Sequence, residues 1–157
     1  WAAGQVAFRQ TLADFRQQVL LREADYADWG RRALWLQRQM ELEPGPDTER
    51  ARQLAADLRR TQSRRLLAGE HLRAMMTGML ASQGRAPDPD LAREVRRLWL
   101  ADMRVAAQFG FTDYVRENLA RMRQEQPTLP WWRWEPDEYR DLQGLVTWLE
   151  PQAPAQP

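Results

Sequence analysis

Apolar residues recur every seven positions along the first 42 residues, in two interleaved series. Trp1, Phe8, Phe15, Trp29 and Leu36 form one, interrupted by Arg22; Leu12, Val19, Tyr26, Ala33 and Met40 form the other, four residues behind. A 3-4-3-4 spacing held this long lines one side of a helix with a narrow apolar seam. A single helix cannot bury such a seam, so the rest of the chain or another polypeptide must cover it. No strand-like alternation and no internal repeat of 20 to 50 residues competes with this reading.

Punctuation residues divide the chain into further helices. The first helix is expected over about Gln5 to Leu42, with Gly30 as its expected bend, and ends at Glu43-Pro44-Gly45-Pro46, where proline cannot continue the hydrogen-bond ladder. Asp47 offers an N-cap for a second helix, Thr48 to Ser82, with apolar positions at Leu54, Leu58, Leu66, Leu72, Met75, Met76, Met79 and Leu80. Its small residues Ala68, Gly69, Gly78 and Ala81 could receive the rings of Trp29 or Trp35. In Pro87-Asp88-Pro89-Asp90, Asp88 is the cap and Pro89 the first helical residue of a third helix reaching Gln108. Its buried side is expected at Leu91, Val95, Leu98, Trp99, Val105 and Phe109. Gly110 breaks the chain before a shorter helix, Thr112 to Arg123. A last helix is expected over Pro136 to Leu149, with Tyr139, Leu142, Val146 and Leu149 on its inner face.

Long helices joined by short connections predict an all-α antiparallel bundle: three long helices and a shorter C-terminal one, the long N-terminal helix amphipathic. The expectation is a single domain over residues 1–150 and a Pro/Ala/Gln-rich tail over 151–157.

Composition excludes several chemistries. Without cysteine there is no disulfide, no thiolate nucleophile and no cysteine-ligated metal. The one histidine, His71, lacks the spacing of a metal motif, and no glycine-rich phosphate loop or Gly-x-Ser-x-Gly element occurs, so no catalytic residue, cofactor or metal is expected. Glu23, Asp25 and Asp28, beside Arg22, form the one acid/base cluster, read as a register-fixing ion pair. All 23 basic residues are arginine and isoleucine is absent, a bias read first as one of coding composition; the net charge is +1, too small to attract a polyanion. Arg59, Arg60, Arg64 and Arg65 cluster, as do Arg93, Arg96 and Arg97. Carboxylates stand three residues before several arginines, in Asp57/Arg60, Glu70/Arg73, Asp90/Arg93, Glu94/Arg97 and Asp113/Arg116, and four before in Glu117/Arg121. This predicts a salt-bridged surface, and nucleic acid is not an expected partner.

Eight tryptophans are the remaining signal. Trp131, Trp132, Arg133 and Trp134 form either a plug at a bundle end or a contact surface, since Trp and Arg predominate among binding hot spots. The function expected is therefore a non-enzymatic protein–protein interaction module: a scaffold, adaptor or accessory subunit of a larger, membrane-associated assembly. Its contacts, to a protein partner or to itself through the heptad helix, are assigned to Phe8, Phe15, Trp29, Leu36, Trp131, Trp132, Arg133 and Trp134. A start at Trp1 feeding directly into an amphipathic helix suits a preceding membrane anchor, and an extracytoplasmic, membrane-proximal site is favoured over a cytoplasmic one. The alternatives are a small-molecule sensor with a pocket near Trp99, Phe109 and the tryptophan loop, and an arginine-mediated nucleic-acid binder.

Overall fold

The computed structural model describes residues 2–84, 87–125 and 133–152, with the side chains of Phe8, Thr11, Leu12 and Gln152 set aside. Among the described residues the secondary structure is entirely helical: α1 (Ala2–Glu41), α2 (Glu49–Ser82), α3 (Pro89–Gln108), α4 (Thr112–Glu125), α5 (Pro136–Leu149) and a closing 3₁₀ turn, Glu150–Gln152. The chain divides into two compact units, residues 1–75 and 76–157.

The first unit holds α1 and α2 as far as Met75. Its core takes Ala33 and Leu36 from α1 and Ala51, Leu54, Leu58, Leu66 and Leu72 from α2. Proceeding back along α1, Gln39 accepts a hydrogen bond from Arg50, Gly30 and Tyr26 meet Arg65, Trp29 meets Arg64, and Arg22 approaches His71. The N-cap of α2 is Thr48, not Asp47: the Thr48 hydroxyl accepts from the Ala51 N–H at 3.0 Å. Gly30 interrupts nothing, since α1 continues through it as one helix of 40 residues. A β-carbon on Gly30 would sit 3.8 Å from Arg65 Nε, ordinary van der Waals contact. Gly30→Ala should therefore stabilise the protein by about 0.5–1 kcal/mol through helix propensity alone. In a thermal melt this is a rise of a few degrees; a fall would mean that Arg65 cannot yield.

The second unit packs α3, α4 and α5 against one another. Asp88 caps α3 by accepting the Asp90 N–H at 2.9 Å, with Pro89 at the first helical position. At the other end Gly110 adopts φ +72°, the Phe111 N–H reaches Ala106 O and the Gly110 N–H reaches Ala107 O. This double closure satisfies carbonyls that the helix end would leave open, and its left-handed residue favours glycine. The core is formed by Leu80, Val95, Trp99, Leu100, Met103, Ala106, Val115, Leu119, Met122 and Leu145. Trp99 Nε1 donates to Asn118 Oδ1 at 2.7 Å, and Asn118 in turn donates to the Tyr114 carbonyl, so the buried polar atoms joining α3 to α4 are satisfied.

Two faces differ from the expected ones. The inner stripe of α3 runs through Ala92, Val95, Arg96, Trp99, Met103 and Ala106, while Leu91, Leu98, Val105 and Phe109 flank it half-buried. On α5 the buried residues are Glu138 and Leu145, and Tyr139 is exposed. A buried ion pair lies on both of these faces.

Candidate functional site

That ion pair is Arg96–Glu138, with Arg96 Nε donating to Glu138 Oε1 at 2.9 Å and side-chain exposures of 6% and 2%. Burying two charges costs several kcal/mol per ion unless geometry and additional hydrogen bonds compensate. Glu138 Oε1 also accepts the Glu135 N–H at 3.0 Å, which places the carboxylate in the first turn of α5 against the positive helix end. Around this centre Arg93 donates to Glu135 at 2.8 Å, Arg97 lies 3.3 Å from Glu135 and 3.5 Å from Asp137, and Arg104 pairs with Asp141 at 3.0 Å. Partners on the two helices ascend together, from Arg93 with Glu135 to Arg104 with Asp141. The hydrogen bond to Glu135, and then that carboxylate's charge, raise the Arg93 pKa above its ordinary value.

A cavity of about 340 Å³ opens beside this network, lined by Pro87, Pro89, Ala92, Arg93, Arg96, Arg133, Trp134 and Glu135. Of the tryptophan-loop residues singled out in the sequence, exposed Arg133 and half-buried Trp134 stand at this cavity. Trp131 and Trp132 lie outside the described residues, as do Trp1 and the Phe8 side chain. Trp99 and Phe109, where a ligand pocket is the alternative expectation, do not line the cavity: Trp99 is engaged with Asn118, and Phe109 stacks with Phe111 at 6.4 Å between ring centroids.

The heptad helix presents two different sides. On the inner side Leu36 is 2% exposed and Ala33 equally buried, Phe15 and Trp29 are half-buried, and the Trp29 ring carries the Arg64 guanidinium 5.4 Å from its centroid. Tyr26 carries Arg65 in the same way at 5.2 Å. These cation–π contacts, with the Arg60–Asp57 pair and an engaged Arg59, draw the basic cluster of α2 into contacts within the chain. The Arg22 interruption is filled by an approach of 3.4 Å to His71 Nδ1, while Glu23, Asp25 and Asp28 face solvent and Asp28 pairs with Arg31.

On the outer side Leu20, Leu21, Leu34 and Trp35 are exposed by 64, 58, 47 and 56%, and Leu42 just past the helix by 78%. Trp35 is thus not received by the small residues of α2. This outer apolar set is easily missed in the sequence because its other seven-spaced members include the small Ala13 and Ala27. Among the described residues no helix is long and apolar enough to cross a membrane. No protein-family model, curated protein or solved structure matches this chain.

Proposed function

We propose that this chain is a non-enzymatic helical interaction module, a scaffold, adaptor or accessory subunit that uses α1 as its contact element within an antiparallel bundle. One observation carries the reading: α1 has its inner side against α2 and keeps five large apolar side chains, Val6, Leu20, Leu21, Leu34 and Trp35, exposed away from it. Contiguous exposed apolar surface rimmed by charge is the usual mark of a polypeptide contact site. Partner order along α1 and α2, descending on one while ascending on the other, supports the antiparallel pairing. Mutual engagement of arginines and carboxylates between α3 and α5 supports a structural use of those charges.

The test is a photoreactive phenylalanine analogue in place of Trp35, with the same group in place of exposed Arg123 on α4 as control. In cells that make the protein, irradiation should yield discrete polypeptide adducts from position 35 and none from the control. Equal yields from both positions would defeat the reading.

A second reading rests on the cavity beside Trp134. Its volume falls at the low end for small-molecule sites, and exposed Arg133 at its wall suits an anionic ligand.

A further inference from the structure

Val6, Ala13, Leu20, Ala27 and Leu34 are spaced by seven, the last four each one residue beyond Leu12, Val19, Tyr26 and Ala33 of the inner series, and all five are exposed. They form a second seam on α1, turned about 100° from the first. Leu21, Trp35 and Leu42, again spaced by sevens or fourteens, flank it, and Ala24 lies between. We infer that this outer seam is the contact through which two copies of the chain pair antiparallel, with the two-fold axis beside Ala27. The inference rests on the interaction reading above and specifies the partner as a second copy.

A two-fold contact requires a surface complementary to its own rotated image. With the axis beside Ala27, Leu20 and Leu21 of one copy meet Leu34 and Trp35 of the other, and the small Ala27 residues meet each other where the backbones approach most closely. Large therefore packs on large at both ends, and small on small at the centre.

The charges select the direction. A parallel, in-register pair would set Arg31 against Arg31 and Arg38 against Arg38 along the seam. In the antiparallel pair about Ala27, Arg31 comes level with Glu23, and Arg38 with Arg16, whose charge is offset by Glu41 one turn beyond Arg38, twice by symmetry. The two Asp28 carboxylates near the axis each already hold their own Arg31. Arg16 and Glu41 are exposed.

The surface has the size of a weak, reversible contact. Leu20, Leu21, Leu34 and Trp35 expose on the order of 400 Å² per copy, and with the alanines and arginine stems approach the ~600 Å² per partner at the low end of specific interfaces.

The absence of native cysteine makes the register directly readable. At ~100 µM, where a micromolar interface is filled, the full chain should sediment at twice its 18.5 kDa. The double variant Leu20→Glu/Leu34→Glu should return to the single mass with unchanged helicity. In an otherwise native seam, a short bismaleimide should join Ala27→Cys to its own copy. Gln17→Cys should not join itself, its two copies lying roughly 30 Å apart by helix rise, but should join Arg38→Cys when the two variants are mixed. A single-mass wild type, a glutamate variant that stays double, or self-joining of Gln17→Cys would each overturn the assignment. A single-mass chain whose position 35 still captures a different polypeptide in cells overturns the second-copy partner alone, whereas absence of any adduct removes the interaction reading itself.

Discussion

Arg96→Leu is expected to destabilise the second unit by about 3–5 kcal/mol, because it leaves the Glu138 carboxylate buried without its cation. Glu138 is 2% exposed and is held by Arg96 at 2.9 Å and by the Glu135 N–H. Arg97 stands 3.7 Å from the other carboxylate oxygen but is half exposed, so it offsets little of the lost charge. The double variant Arg96→Leu/Glu138→Leu should recover much of the loss, since apolar residues of similar volume often replace a buried pair with little net change. Urea unfolding followed by circular dichroism, arranged as a double-mutant cycle, measures both quantities. A cost below about 1 kcal/mol for the single variant would mean that water or a neighbouring arginine reaches Glu138.

That pair also marks where the sequence stops being informative. Helix positions are legible because their signals are local: the Pro44 to Pro46 stop, the Asp88-Pro89-Asp90 start, Gly110 and Pro136 each act within a turn or two of the backbone. Even the misplaced cap differs by only one residue, Thr48 in place of Asp47. Helix faces are less legible. Spacing rules consider only partners on the same helix, so they match Arg97 with Glu94, whereas in the fold it turns to Glu135 and Asp137. Asp57–Arg60, Asp90–Arg93 and Asp113–Arg116 do form as spaced. The difference is tertiary: α5 brings three carboxylates alongside α3, and no pattern within either helix announces it. Arg96 illustrates the cost of assuming that charge means surface, because it is 5% exposed and lies among the buried residues of α3. The outer seam of α1 is legible in principle, since Val6, Ala13, Leu20, Ala27 and Leu34 keep an unbroken seven-residue spacing. Bulkier aromatic residues on the other face draw the assignment there.

The two sides of α1 lead to a second large effect at adjacent positions. Leu36→Ala should cost about 2–4 kcal/mol, because Leu36 is 2% exposed and its truncation leaves a cavity between α1 and α2. Trp35→Ala removes a larger side chain one residue away, yet at low concentration it should change stability by no more than about 0.5 kcal/mol, since 56% of Trp35 is exposed. The comparison separates packing within the chain from packing against another copy. Stabilisation by association depends on chain concentration, whereas a filled core position does not. Melts of both variants and wild type from sub-micromolar to ~100 µM chain, the range over which a micromolar dimer fills, should therefore show a constant deficit for Leu36→Ala. For Trp35→Ala the deficit should grow with concentration as the wild type gains a partner that the variant has lost. A concentration-independent loss at Trp35 as large as that at Leu36 would place its indole in the chain's own core, and the outer side of α1 would no longer be available to any second polypeptide.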